Sequence, residues 1–116
     1  MSKKTILVVE DDQYFREAIC DVLKKKYNIL EAPNGKVASE ILSMSDLDLV
    51  LSDIQMPGLT GLELLEWSKK NKPVPFILQK FHYFVSGIME LNNVIGRIKL
   101  RSYGILYKRS KRASYS

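Results

Sequence analysis

Apolar residues along this chain follow two rhythms that alternate. Short apolar runs at Ile6-Leu7-Val8-Val9, Ile29-Leu30, Leu47 to Ser52 and Val74 to Leu78 have the length of buried strands. Between the first two, Phe15, Ala18, Ile19, Val22 and Leu23 recur at i, i+3, i+4, i+7 and i+8, the stripe of an amphipathic helix. Asp12 stands at its N-cap position, and Lys24-Lys25-Lys26 closes it with the positive charge that the helix dipole favours. A turn at Pro33-Asn34-Gly35 leads into a second stripe, Val37, Ala38, Ile41 and Leu42. Gly61 leads into a third, with Leu62, Leu64, Leu65 and Trp67, which Lys69-Lys70-Asn71-Lys72-Pro73 ends. Strands and helices alternating through short connections predict a parallel sheet with helices on both faces.

The polar residues that stop these runs carry the chemistry. Glu10-Asp11-Asp12 follows the first strand and Asp53 follows the third. In open parallel sheets, functional groups gather beyond the carboxyl ends of the strands, where the strand order reverses. Glu10, Asp11 and Asp53 would meet there if the two strands lie side by side, and clustered acids repel one another, so they need a cation. Taken singly, each of these acids reads as an ordinary turn or cap residue. Met56-Pro57 is a turn device under any reading, with Gly58 and Gly61 permitting conformations that other residues resist. Arg16 reads as a solvated helix residue.

Composition narrows the class. A chain of 116 residues, 46% hydrophobic and 27% charged, has the size of one domain spanning residues 1–116. The single Cys20 excludes an internal disulfide and, within a helical stripe, predicts an inert, half-buried thiol. The cytoplasm fits. The apolar run after Met1-Ser2-Lys3-Lys4 is too short for a signal peptide, and Gln79, Lys80 and His82 interrupt the other long apolar stretch, so no membrane contact is expected. No nucleotide-binding Gly-rich loop, Ser-His-Asp set or clustered zinc ligands point to an enzyme. The net charge of +5 is unevenly spread: residues 1–78 hold ten Lys and Arg against twelve Asp and Glu, and residues 79–116 hold eight against one.

Residues 5–78 resemble the receiver domain of bacterial two-component response regulators. The resemblance rests on Ile6-Leu7-Val8-Val9-Glu10-Asp11-Asp12, Arg16, and Asp53-Ile54-Gln55-Met56-Pro57-Gly58-Leu59-Thr60-Gly61. It implies a flavodoxin-like, doubly wound α/β fold. It makes Asp53 the phospho-acceptor, and it makes Glu10, Asp11, Asp53 and the backbone carbonyl of Gln55 ligands of Mg²⁺. It also implies a histidine kinase or phosphotransfer protein as donor and a separate output protein as recipient of the signal. The chemistry agrees, because Mg²⁺ prefers hard oxygens and a carboxylate can form an acyl phosphate when charge on the transferring group is neutralised.

Beyond Leu78 the agreement ends. Lys80 falls where the resemblance places a hydroxyl at the end of the fourth strand. A second alignment puts that hydroxyl at Ser86, a fourth helix through Ile88, Leu91, Val94, Ile95 and Ile98, and the last strand at Gly104 to Lys108 with Lys108 as the charge-neutralising lysine. Arg109 then replaces the expected Pro, and Ile105 the switch aromatic. Only Arg109 to Ser116 follow, so the final helix is expected to be missing and the sheet incompletely covered. A frameshift or fusion at about residue 79 would produce such a change. Two other functions follow from this segment: an interaction module that phosphorylates poorly, or nucleic-acid binding through Lys99, Arg101, Lys108, Arg109, Lys111 and Arg112.

Overall fold

The apolar runs become strands of one parallel sheet in a computed structural model that describes residues 3–79 and 105–107. In chain order the elements are β1 (Thr5–Val9), α1 (Gln13–Leu23), β2 (Asn28–Ala32), α2 (Gly35–Met44), β3 (Leu49–Asp53), α3 (Gly61–Asn71), β4 (Phe76–Gln79) and β5 (Ile105–Tyr107). The strands lie in the order β2-β1-β3-β4-β5, all neighbours parallel. This is the doubly wound, flavodoxin-like order.

Alternation along the strands divides the core. Leu7 and Val9 of β1, Val50 of β3, and Phe76 and Leu78 of β4 face Ala38 and Leu42 of α2 and Leu64 and Leu65 of α3. Ile6, Val8, Leu49, Leu51 and Ile77 point the other way, onto Ile19, Cys20 and Leu23 of α1. Removing a side chain of this size from water is worth about 1.5–3 kcal/mol, so the two apolar faces hold the three helices in place.

The helix starts are those the sequence marks. Asp12 accepts from the backbone N–H of Phe15 at 3.2 Å, and Asn34 accepts from that of Val37 at 2.9 Å. Thr60 and Glu63 form a reciprocal capping box, at 3.2 and 3.0 Å.

The bounds of three strands differ from the sequence reading. The third strand runs from Leu49 to Asp53, so Asp53 is its last paired residue. The fourth runs from Phe76 to Gln79 instead of Val74 to Leu78. Pro73 and Pro75 cannot donate to a ladder in an interior strand, so pairing begins after them, while Val74 still packs into the core. The fifth strand, expected over Gly104 to Lys108, pairs through Ile105 to Tyr107 with β4. The fourth helix expected from Ile88 to Ile98 and the missing final helix concern residues outside those described. Among the described residues no helix is long and apolar enough to cross a membrane.

Two glycines shape the loop after β3. Gly58 has φ of +79°, with open space where a Cβ would stand. Gly61 packs so tightly that a Cβ would collide with the carbonyl oxygen of Asp53. Gly61→Ala is therefore expected to cost about 3 kcal/mol by overpacking, and Gly58→Ala about 1 kcal/mol through its left-handed backbone alone. Urea unfolding of both variants tests this, and equal losses would contradict the close approach at Gly61.

Candidate functional site

At the carboxyl edge of the sheet the chain changes direction between β1 and β3, since β2 lies on the outer side of β1. Glu10 follows β1 directly, and Asp53 ends β3 beside it. Glu10, Asp11 and Asp53 each bring a carboxylate oxygen to within 4.8 Å of the other two. Glu10 and Asp53 are buried, at 0% and 4% exposure, whereas Asp11 is open to solvent. A cavity of about 400 Å³ opens beside Asp11, lined also by Asn34, Lys36, Pro57 and Leu59.

Three acids this close strain one another electrostatically. Burial, a hydrogen bond with Asp53 and the negative charges of Asp53 and Asp11 push the Glu10 carboxyl up to about 9. Without a cation, these surroundings favour the protonated form of Glu10. A divalent ion would take the place of that proton, and a set made of carboxylate oxygens is the hard donor chemistry that suits Mg²⁺.

The backbone beneath the acids is held from several sides. The N–H of Glu10 donates to the carbonyl of Ala32 at 3.1 Å. Its carbonyl accepts from Nη1 of Arg16 at 2.7 Å, while Nε of Arg16 pairs with Glu31 at 3.2 Å. The Arg16 side chain is only 14% exposed, so it is not the solvated helix residue the sequence suggests. Alternation in β2 accounts for this, because Glu31 shares the face of Ile29, which packs on the α1 side of the sheet. That pattern was the available signal for the pair.

Asp53 is held as firmly. Its carbonyl accepts from the hydroxyl of Ser52 at 2.9 Å, and its Oδ1 accepts from the N–H of Gln55 at 3.4 Å. Ile54 and Met56 are buried in the core, and the N–H of Gly61 donates to the carbonyl of Ile54 at 2.9 Å. The loop is thus pinned at both ends of its turn. The Gln55 side chain is exposed, so only its main chain faces the acids.

Gln79, which the sequence reading used only as a break in an apolar stretch, is the register partner of Asp53. It is fully buried, and among the described residues neither its Nε2 nor its Oε1 has a hydrogen-bond partner. Ser86, Lys108, Lys80 and the basic residues from Lys99 to Arg112 lie outside the described residues. Cys20 is buried rather than half-buried, and burial, reinforced by the charge of Glu31, pushes its thiol up to about 12, which keeps it unreactive.

Comparison with known proteins agrees with this architecture. The family model described as the response regulator receiver domain matches residues 6–114. The chain is 33% identical to the response regulator TrrA of Thermotoga maritima, solved in complex with Mg²⁺ and BeF, with a TM-score of 0.68 over 81% of this chain and 97% of that one. The chemotaxis protein CheY4 of Vibrio cholerae shares the fold, with a TM-score of 0.71 at 18% identity over 84% of this chain and 99% of that one. Among curated proteins, histidine kinase P4 of Formosa agariphila is 42% identical over 79 residues, which are 66% of this chain and 6% of that protein. The matching segment is thus a small part of a much longer relative.

Two outcomes follow from the electrostatics and the anchoring. Glu10 holds its proton more tightly folded than unfolded, so between about 4.5 and about 9 the folded state carries a proton that the unfolded state has lost. Stability without divalent ions must then fall as pH rises through that window. Thermal unfolding is expected to show this fall, Mg²⁺ to offset it, and Glu10→Gln to flatten it; a wild-type profile flat from pH 5 to 9 would refute it. Arg16→Met removes the hydrogen bond to the Glu10 carbonyl and the pair with Glu31, and is expected to cost about 2 kcal/mol in urea unfolding and to weaken Mg²⁺ binding in calorimetric titration.

Proposed function

The chain belongs to the response regulator receiver domain family, and from that membership we propose that it accepts a phosphoryl group on Asp53. The observation that carries this reading is the convergence of Glu10, Asp11 and Asp53 within 4.8 Å at the edge where the strand order reverses. One carboxylate oxygen of Asp53 attacks phosphorus, the bond from phosphorus to the donor's imidazole nitrogen breaks, and the imidazole takes up a proton as it leaves. An acyl phosphate on Asp53 results.

Glu10, Asp11, Asp53 and the main-chain carbonyl of Gln55 would hold Mg²⁺. The ion would supply positive charge to neutralise the oxygens of the transferring group. Asp11, the exposed member, would meet such an ion from solvent, and buried Glu10 would exchange its proton for it. The Asp53 backbone, fixed by Ser52, by Gly61 and by pairing with β4, keeps the attacking oxygen in one place, which is where a positioned nucleophile gains its rate.

The donor is a histidine kinase or a phosphotransfer protein in the cytoplasm. The signal passes through altered surface contacts to an output protein. A receiver-shaped interaction module that takes phosphate poorly is the alternative outcome.

Incubation with Mg²⁺ and acetyl phosphate, followed by intact mass measurement, separates these readings. The wild type is expected to gain one phosphoryl group that hydroxylamine removes, and Asp53→Asn or chelation of Mg²⁺ to abolish the gain. A phosphoryl group that persists in Asp53→Asn would remove the site assignment, and an unmodified wild type would favour the interaction module.

A further inference from the structure

Lysines gather at the edge of the sheet that lies away from the acids. In a parallel sheet with crossover helices every strand begins and every helix ends at one edge, so the charges that follow the helices meet there. Lys24, Lys25 and Lys26 follow α1, Lys3 and Lys4 precede β1, and all five are exposed. The N–H of Asn28 donates to the carbonyl of Lys4 at 2.9 Å, and Asn28 is the register partner of Thr5, which brings the two groups into one corner. A second corner forms where α3 ends, with exposed Lys69 and Lys70 and with Lys72, whose Nζ donates to the carbonyl of Ser45 at 2.7 Å. Of the lysines among the described residues, only Lys36 stands elsewhere, at the start of α2.

Helix dipoles explain only part of this. A helix C-terminus favours a cation in its last turn, but Lys3 and Lys4 close no helix, and Lys25 and Lys26 lie beyond the C-cap at Lys24. Lys24 has Asp21 at 3.0 Å and Lys72 has Asp46 at 3.7 Å, whereas among the described residues Lys3, Lys4, Lys25, Lys26, Lys69 and Lys70 pair with no acid. The rest of the chain cannot neutralise them, because residues 80–116 hold one acidic side chain, Glu90, against eight Lys and Arg. The edge therefore carries a field of one sign that draws an anion.

The distribution of charge says which kind. Between the two corners lies the start of β3 with its acids, Asp48, whose Oδ2 accepts from the N–H of Thr5 at 2.8 Å, and exposed Asp46. β2 and β4 are three strand spacings apart, about 14 Å. An anionic bilayer is charged evenly, so it would set like charge against that middle strip. Two rails of phosphate with a gap between them fit better, and in double-stranded DNA the rails bound a major groove about 12 Å wide. We propose that the edge where the strands begin is a docking surface for double-stranded DNA, held through its phosphate backbone. The acids at the opposite edge, about 17 Å away along the strands, turn from the polyanion and leave their site clear of it. This inference is independent of whether Asp53 accepts a phosphoryl group.

Anisotropy of a labelled DNA duplex of mixed sequence, titrated with the full chain, tests it. The logarithm of the affinity is expected to fall linearly with the logarithm of the salt concentration. Lys24→Gln/Lys25→Gln/Lys26→Gln and, separately, Lys69→Gln/Lys70→Gln are each expected to weaken binding roughly tenfold or more and to flatten the salt slope by about one for every lysine removed. These positions are exposed, so both variants keep the core, which thermal unfolding checks. A wild type that leaves the duplex unbound, or binds it with no salt dependence, would overturn the proposal. A loss confined to one corner, or found only in Arg109→Gln/Lys111→Gln/Arg112→Gln, would overturn it as well. Co-sedimentation of the wild type with vesicles of phosphatidylcholine and phosphatidylserine that the duplex fails to compete away would assign the edge to a lipid surface instead.

Discussion

Repulsion among three carboxylates at the edge of a parallel sheet is the constraint around which this molecule is arranged. Glu10 and Asp53 are buried next to each other, with Asp11 at the solvent side. Burial alone disfavours the ionised forms, and proximity disfavours them further. The result is a site that resists its own full charge and has a place for a divalent cation. A cluster of this kind survives folding because the apolar faces on both sides of the sheet stabilise the strands that carry it. Mutual repulsion is the cost of bringing the three acids together.

Position must be held against that repulsion. On the β1 side, the main chain of Glu10 is tied to Ala32 and to Arg16, and Arg16 is itself tied to Glu31, so β1, α1 and β2 share one hydrogen-bonded junction. On the β3 side, Ser52, Ile54, Met56 and Gly61 fix the chain on either side of Asp53. Most of these ties run to the main chain rather than to the carboxylates. The backbone that aims the carboxylates is thus fixed on both sides, and Glu10 and Asp53 also hydrogen-bond each other.

Gln79 belongs to the same economy of the site. Its neighbours in the row are acids, and among the described residues its own polar atoms have no partner. Arg16 and Gln79 thus stand on opposite sides of the acids, one holding the backbone and the other facing the row from β4.

Local pattern was enough for much of this. The apolar runs, the helical stripes, the caps at Asp12 and the turn at Pro33-Asn34-Gly35 were legible because each depends on residues close in sequence. The acids at the ends of the first and third strands could be singled out for the same reason. The ends of the fourth strand were misjudged, since proline without an N–H is tolerated in a run of apolar residues but not in an interior ladder. Arg16 looked solvated because its partners, the Glu10 carbonyl and Glu31, are set by how α1 lies across β1 and β2. Gln79 looked like a mere interruption because its significance is a matter of register with Asp53. What the sequence determined by itself was which residues alternate, cap and terminate, for those are short-range properties of the chain. Only the tertiary structure decided which terminated strands are neighbours and which buried groups go unpaired, because pairing across strands joins residues far apart in the chain, and no local pattern encodes their meeting.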